Sequence, residues 1–253
     1  MSRNKTARQR RILVELEGRP SLRVVELAER LAVSAETIRR DLDDLTGQGL
    51  LERTYGGAVR RLSAEPAVGE RHAQRVPERE AIARAAVPAL AGARHLMIGS
   101  GATTLHVARR IAVEMRDITV VTHAFGVATV LSLNPTIEVI VTPGRYHAGE
   151  GAMHGAETLH FLESIRVDWA ILGASGLSEE GPSDALLEGG AVFAAMLRRA
   201  ARGMVVADAS KFGRAFPAAW APWEALDSLV TDRAPPGRLA CALDDAGTAV
   251  VTT

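Results

Sequence analysis

A single cysteine, Cys241, stands in this chain of 253 residues, which excludes an internal disulfide framework and suits a reducing compartment. Although 47% of the residues are hydrophobic, no window approaches the ~20 consecutive apolar residues of a membrane span. No N-terminal stretch has the apolar core of a signal peptide, so a soluble, cytoplasmic protein without a membrane partner is expected. Net charge is also lacking, with 30 Lys+Arg against 30 Asp+Glu. That balance argues against nucleic acid only until the charge is divided along the chain. Residues 1–61 hold 13 basic and 9 acidic residues, net +4, which leaves net −4 beyond: a basic head on an acidic body. Lysine is the scarcest of the common charges. Of the 30 cations 28 are Arg, and Lys5 and Lys211 are the exceptions.

The basic head has a readable pattern. Val24, Leu27, Ala28 and Leu31 recur at i, i+3, i+4 and i+7, predicting a short helix that ends in a tight turn through Ala32 and Val33. Ser34 is a good N-cap, and Ile38, Leu42 and Leu45 then share one face of a second helix beginning near Ala35. Two helices so joined make a helix-turn-helix, closed by an earlier helix carrying Ile12, Leu13 and Leu16. Glu36 and Arg40 point away from the apolar stripe and Thr37 and Arg39 flank it, where a helix in the major groove presents its base-reading side chains. After Gly49 the run Leu50 to Thr54 is strand-like, and Tyr55-Gly56-Gly57 is a hairpin signal. Arg53, Tyr55, Arg60 and Arg61 on that hairpin suit phosphate contact. Double-stranded DNA is the expected partner; a winged helix that binds protein is the alternative.

Residues 62–77, with Pro66 and Gly69 and no sustained period, read as a linker between a domain over 1–61 and a larger one over 78–253. From Glu78 a helix to about Leu90 is predicted, then short β-rich runs separated by amphipathic stretches. The runs are His95–Ile98, Ile118–Thr122, Ile137–Val141, Trp169–Leu172, Met204–Ala207, Ser228–Thr231 and Ala249–Thr252. The pattern implies a Rossmann-like α/β domain, its mainly parallel sheet covered by helices on both faces, with ligands at the carboxyl ends of the strands. Those ends are polar and Gly-rich. Gly99-Ser100-Gly101-Ala102-Thr103-Thr104 leads straight into a helix and reads either as an anion site at that helix's N-terminus or simply as a turn. Thr122-His123, Gly144-Arg145, Gly173-Ala174-Ser175-Gly176 and Asp208-Ala209-Ser210-Lys211 are further candidates. A Lys at a strand end of so Arg-rich a chain suits phosphate bound by a compact ammonium, or a structural pair with Asp208. His123, His147 and His154 lack a tight ligand spacing, and no metal or other cofactor is expected.

The segment SAETIRRDLDDLTGQGLLERTYGGA resembles the winged-helix signature of the DeoR family of bacterial transcriptional regulators. GSGATTLHVARRI, VVTHAFGVATVL, VDWAILGASGLSEEG, VVADASKFGR and LVTD resemble that family's sensor domain, related in fold to sugar-phosphate isomerases. The resemblance implies a regulator, usually a repressor of carbohydrate genes, whose grip on an operator changes when a phosphorylated sugar binds. It implies phosphate held by Ser100, Gly101, Thr103 and Thr104, with Arg145 and Lys211 as nearby cations and Glu188, His123 and Gly173 at the same mouth. A homo-oligomer, dimer or tetramer, is expected. The chain departs from the family pattern at Gly99, Ala102, His123, Pro143 and Phe193-Ala194, so a regulator with a decayed or differently tuned sensor is the alternative. An isomerase is the third reading, but Ser175 and Gly176 stand where the related pentose-phosphate enzyme has acidic residues, and Glu188 lacks an acid–base partner, so no catalysis is expected.

Overall fold

In the computed structural model the described residues are 3–18, 21–47, 51–54, 57–60 and 66–253, and the chain divides into two compact units, Met1–Glu65 and Pro66–Thr253. The first unit runs α1 (Arg3–Gly18), β1 (Ser21–Arg23), α2 (Val24–Leu31), α3 (Ala35–Gly47), β2 (Leu51–Thr54) and β3 (Gly57–Arg60). Its core is the predicted stripe: Ile12, Leu27, Ile38, Leu42 and Leu45 are buried together with Leu22, Val24 and Leu51. The turn between α2 and α3 is made by Ala32 in the left-handed region, φ 52° and ψ 45°, while the Val33 N–H donates to the Ala28 carbonyl at 3.0 Å. β2 and β3 form the antiparallel wing, and β1 adds a third strand against β3. Sequence patterning missed β1, three residues long. Its passage explains Gly57, where a Cβ would run into the Leu22 carbonyl oxygen. Leu50, Tyr55, Gly56 and Arg61 of the expected wing lie outside the described residues.

The second unit opens with α4 (Val68–His72) and α5 (Val76–Ala86). β4 (His95–Ile98), α6 (Ala102–Glu114), β5 (Ile118–Thr122), α7 (Phe125–Leu131) and β6 (Ile137–Val141) follow, then a hairpin of β7 (Arg145–His147) and β8 (Ala152–His154). The rest is α8 (Ala156–Glu163), β9 (Val167–Leu172), β10 (Gly176–Ser178), β11 (Gly181–Asp184), α9 (Leu187–Arg198), β12 (Ala200–Val206), β13 (Ala218–Ala219), β14 (Ser228–Thr231), α10 (Gly237–Asp245) and β15 (Ala249–Thr252). All seven predicted apolar runs are strands of one parallel sheet, ordered β15-β14-β12-β9-β4-β5-β6. Alternation along each strand feeds two cores. Leu96, Ile98, Trp169, Ile171, Met204 and Val206 pack with α5, α6 and α7, whereas Met97, Ala170, Leu172 and Val205 pack with α8, α9 and α10.

The segment read as a linker over 62–77 is different in the structure. From Pro66 onward it belongs to the second unit, and α4 is tied down there by the Val68 N–H donating to the Gly149 carbonyl at 2.8 Å and by the Arg71–Glu150 ion pair. The helix expected from Glu78 begins two residues earlier, with Pro77 in its first turn, where a missing N–H costs nothing. No helix among the described residues is long and apolar enough to cross a membrane.

Candidate functional site

Two surfaces carry candidate residues, one in each unit. In the first, Ser34 caps α3: its hydroxyl accepts from the Thr37 N–H at 3.2 Å and lies 2.9 Å from the Thr37 hydroxyl. Glu36, Arg39 and Arg40 stand on the exposed face of that helix, and the Glu36 carboxylate holds Arg39 at 3.3 Å and Arg40 at 3.4 Å. The first two turns of α3 thus offer two guanidinium forks and a carboxylate, the groups that read guanine and cytosine edges in a major groove. The helix is fixed from behind by Asp41, buried and accepting a forked contact from Arg8 on α1, whose pKa that bond raises. Sequence reading missed this pair, which falls outside the apolar periodicity. Arg53 and Arg60 lie on β2 and β3, paired to the same short hairpin. Tyr55 lies outside the described residues.

In the second unit the chain order of the sheet reverses between β4 and β9, and the crevice at a switch point is where a doubly wound sheet takes its ligand. The Ser100–Thr103 loop leaves β4 there and enters α6, with Gly101 at φ 139°. Gly173, leaving β9, faces it so closely that a Cβ would lie 3.3 Å from the Ser100 carbonyl oxygen. Around this loop a pocket is lined by Ser100, Gly101, Thr103, Gly173, Ser175 and Lys211, and by four residues the sequence reading did not place there: Arg71, Arg79, Glu150 and Asp184. Its enclosed space is about 20 Å³. Arg79 is 3% exposed and stitches the pocket together, donating to the carbonyls of Arg71 and Gln74 and to the Asp208 carboxylate at 3.3 Å. Burial pushes the Asp208 carboxyl up, but hydrogen bonds from Ser210 and the charges of Arg79 and Lys211 outweigh it and hold the group below the ordinary carboxylate range. Signals for the missing residues existed. Arg79 sits on the same helical face as the buried Ile82, Ala83 and Ala86, an unusual place for a cation. Arg71 was hidden because its segment looked like a linker.

The other expected residues hold different places. Thr104 is fully buried and donates its hydroxyl to the Gly101 carbonyl at 2.9 Å, bracing the loop from within. His123 lies behind the loop, its Nε2 accepting from the Ser100 N–H at 2.9 Å and its Nδ1 against the Met153 carbonyl at 2.9 Å. That arrangement fixes the neutral tautomer with the proton on Nδ1, and burial pushes the pKa down to about 4, against the pull of the Met153 carbonyl. Arg145 and Glu188 meet each other at 2.5 Å on an exposed rim and do not line the pocket. Among the described residues no cluster of three or more His, Cys, Asp or Glu could hold a metal ion.

A winged helix-turn-helix unit followed by a parallel α/β unit with a cation-lined pocket at its switch point defines the class: a helix-turn-helix head joined to a doubly wound α/β domain. Residues 8–63 match the DeoR-like helix-turn-helix domain and residues 74–233 the DeoR C terminal sensor domain. The chain belongs to the DeoR family of transcriptional regulators. It is 32% identical over 216 residues to the glycerol-3-phosphate regulon repressor of Escherichia coli K12, covering 83% of this chain and 84% of that one. It is 33% identical over 231 residues to the HTH-type transcriptional regulator GlpR of Haloferax volcanii, covering 89% of each. Among solved structures, ribose 5-phosphate isomerase A of Methanocaldococcus jannaschii aligns with 53% of this chain and 52% of its own at TM-score 0.38 and 19% identity, a likeness that bears no weight for activity.

Proposed function

We propose that this protein represses carbohydrate-metabolism genes and that a phosphorylated, hydroxylated small molecule bound in the switch-point pocket modulates its grip on operator DNA. The observation that carries the reading is the pocket itself: the Gly-rich loop entering α6 lines it together with Arg71, Arg79 and Lys211. Glu150 and Asp184 on the same wall supply acceptors for hydroxyl groups. The name of the Escherichia coli relative points the same way, since its regulon is that of a phosphorylated polyol. On the DNA side Ser34, Glu36, Thr37, Arg39 and Arg40 would read or position on the major groove, and Arg53, Tyr55 and Arg60 would hold phosphates. In this reading a homo-oligomer, dimer or tetramer, presents winged helices in symmetric pairs to half-sites in the cytoplasm. In this reading the pocket binds and does not catalyse: Glu188 is committed to Arg145 on the rim, Ser175 and Gly176 offer no general base, and the two carboxylates of the lining are engaged, Glu150 with Arg71 and Asp184 with the Leu186 N–H at 2.7 Å.

The test is fluorescence anisotropy of the full chain on DNA from upstream of its own gene, at fixed near-physiological salt, with and without phosphorylated sugars and polyols. Tight binding changed by one such compound is expected. Tight binding indifferent to all of them would leave a DNA-binding regulator with a differently tuned pocket and remove the effector half of the proposal.

A further inference from the structure

The rear of the switch-point pocket is closed by an aromatic ring. Phe193 on α9 is 2% exposed and lines the pocket, and a Cβ on Gly99 would lie 2.7 Å from its Cε1 and 3.2 Å from its Cδ1. The ring therefore fills the space that a side chain at residue 99 would take. It stands edge-on between His123, with centroids 5.8 Å apart, and Trp220, at 5.7 Å. α9 has no slack with which to carry the ring away. A Cβ on Gly189 would come within 2.7 Å of the Asp184 Oδ1, and one on Gly190 within 2.6 Å of the Ala218 Cβ, so the helix lies against β11 and β13 with backbone in contact.

The front of the pocket is different. Its wall there carries long charged side chains in an ion pair, Arg71 with Glu150. Such pairs can part and re-form around a ligand; a wedged ring cannot. With the front closed the space is about 20 Å³, room for roughly one water. We propose that Phe193 sets the size limit of this site, which takes a phosphorylated three-carbon polyol or keto-alcohol and turns away a hexose phosphate. This rests on the pocket binding phosphorylated molecules at all. The carbon skeleton matters because Glu150 and Asp184 line the pocket beside its cations, and carboxylates accept hydrogen bonds from the alcohol groups of a polyol, which inorganic phosphate does not carry.

The test is calorimetric titration of the full-length wild type and of Phe193→Ala and Phe193→Leu with glycerol 3-phosphate, dihydroxyacetone phosphate, glucose 6-phosphate, fructose 6-phosphate and inorganic phosphate. The expected result is that a three-carbon phosphate binds the wild type at least tenfold more tightly than either hexose phosphate and than inorganic phosphate. The smaller side chains should narrow or reverse the preference over hexoses. Hexose phosphates binding the wild type as tightly as three-carbon ones would overturn the size limit while leaving the phosphorylated-ligand reading in place. Inorganic phosphate binding as tightly would show that no carbon skeleton is read, with the same consequence. No binding by any of the five, in wild type or variants, would sink the underlying reading and the inference together. Should Phe193→Ala not fold, Phe193→Leu and the wild-type ratios still decide. A preference unchanged in a folded variant would take the size limit away from Phe193.

Discussion

His123 shows how one side chain in a particular protonation state can hold the loop after a strand in place. Its Nε2 accepts the Ser100 N–H, so a proton on that nitrogen would set two donors face to face and push the loop out of place. The folded pKa of about 4 lies below the ordinary value of 6.5, so between those values the unfolded chain binds a proton that the folded chain does not. Stability contributed by neutral His123 is therefore complete above about pH 6.5 and declines as the pH falls toward 4, by about 3 kcal/mol across that window. Urea unfolding of the second unit, followed at a series of pH values, should show this acid limb, and His123→Gln should flatten it; an undiminished slope in the variant would assign the limb to other groups. Arg40 makes the corresponding case for DNA. Exposed and held by the Glu36 carboxylate at 3.4 Å, it is poised rather than buried. Replacing it with Ala should weaken operator binding by ~1–3 kcal/mol with a loss that varies with base sequence. Equal weakening on unrelated DNA, measured by anisotropy at one salt concentration, would show a phosphate contact instead.

At the scale of elements, the helix-turn-helix joint depends on a residue in an awkward conformation. Ala32 is exposed at φ 52°, where L-residues with a Cβ pay about 1 kcal/mol or more. Ala32→Gly removes that strain but gives the unfolded chain more freedom, so the net gain expected is about 0.5 kcal/mol, read as a higher urea midpoint with an unchanged slope. A lower midpoint would mean that the Ala32 methyl makes a contact worth more than the strain. Elements of this kind were legible in the sequence because burial and periodicity coincide: Ile38, Leu42 and Leu45 mark α3, and short β-rich runs mark every strand of the seven-stranded sheet. The short antiparallel pieces were not legible. β7 reads Arg-Tyr-His, β11 reads Gly-Pro-Ser-Asp and β1 has three residues, too few for a period of two to show and too polar to look like strand. Those pieces hold part of the site. The β7–β8 turn carries Glu150, the partner of Arg71, and β11 carries Asp184, so the acidic side of the pocket could not be assembled from apolar patterning. The half built on the Ser100–Thr103 loop could, because a Gly-rich strand end running into a helix is a local signal.

At the scale of the whole molecule, the two units matter to each other only through a free energy of coupling. A ligand that binds the second unit changes operator affinity only if it distinguishes the DNA-competent state from its alternative, and linkage then requires the operator to change ligand affinity by the same factor. Lys211 is the residue with which to test this. It is 9% exposed, lies at the carboxyl end of the β12 segment in the pocket lining, and is far in sequence from every residue of the DNA-binding unit. Lys211→Ala should leave operator affinity without ligand within about twofold of wild type, since the winged helix keeps all of its own contacts. It should weaken ligand binding by at least tenfold, as expected when a point charge is withdrawn from a phosphate. The measurement is a four-sided cycle: operator binding with and without saturating ligand, and ligand binding with and without saturating operator. In the wild type the two ratios should agree at a value well away from one, typically 5–150-fold for an allosteric pair. In the variant, ligand raised to saturation should still shift operator binding if Lys211 serves affinity alone. A ratio that collapses to one at saturation would make Lys211 part of the transmission as well, its ammonium distinguishing the two states near Asp208 and the Arg79 that ties α4 and α5 to the pocket. A wild-type ratio of one on both sides would separate the pocket from regulation altogether, whatever it binds.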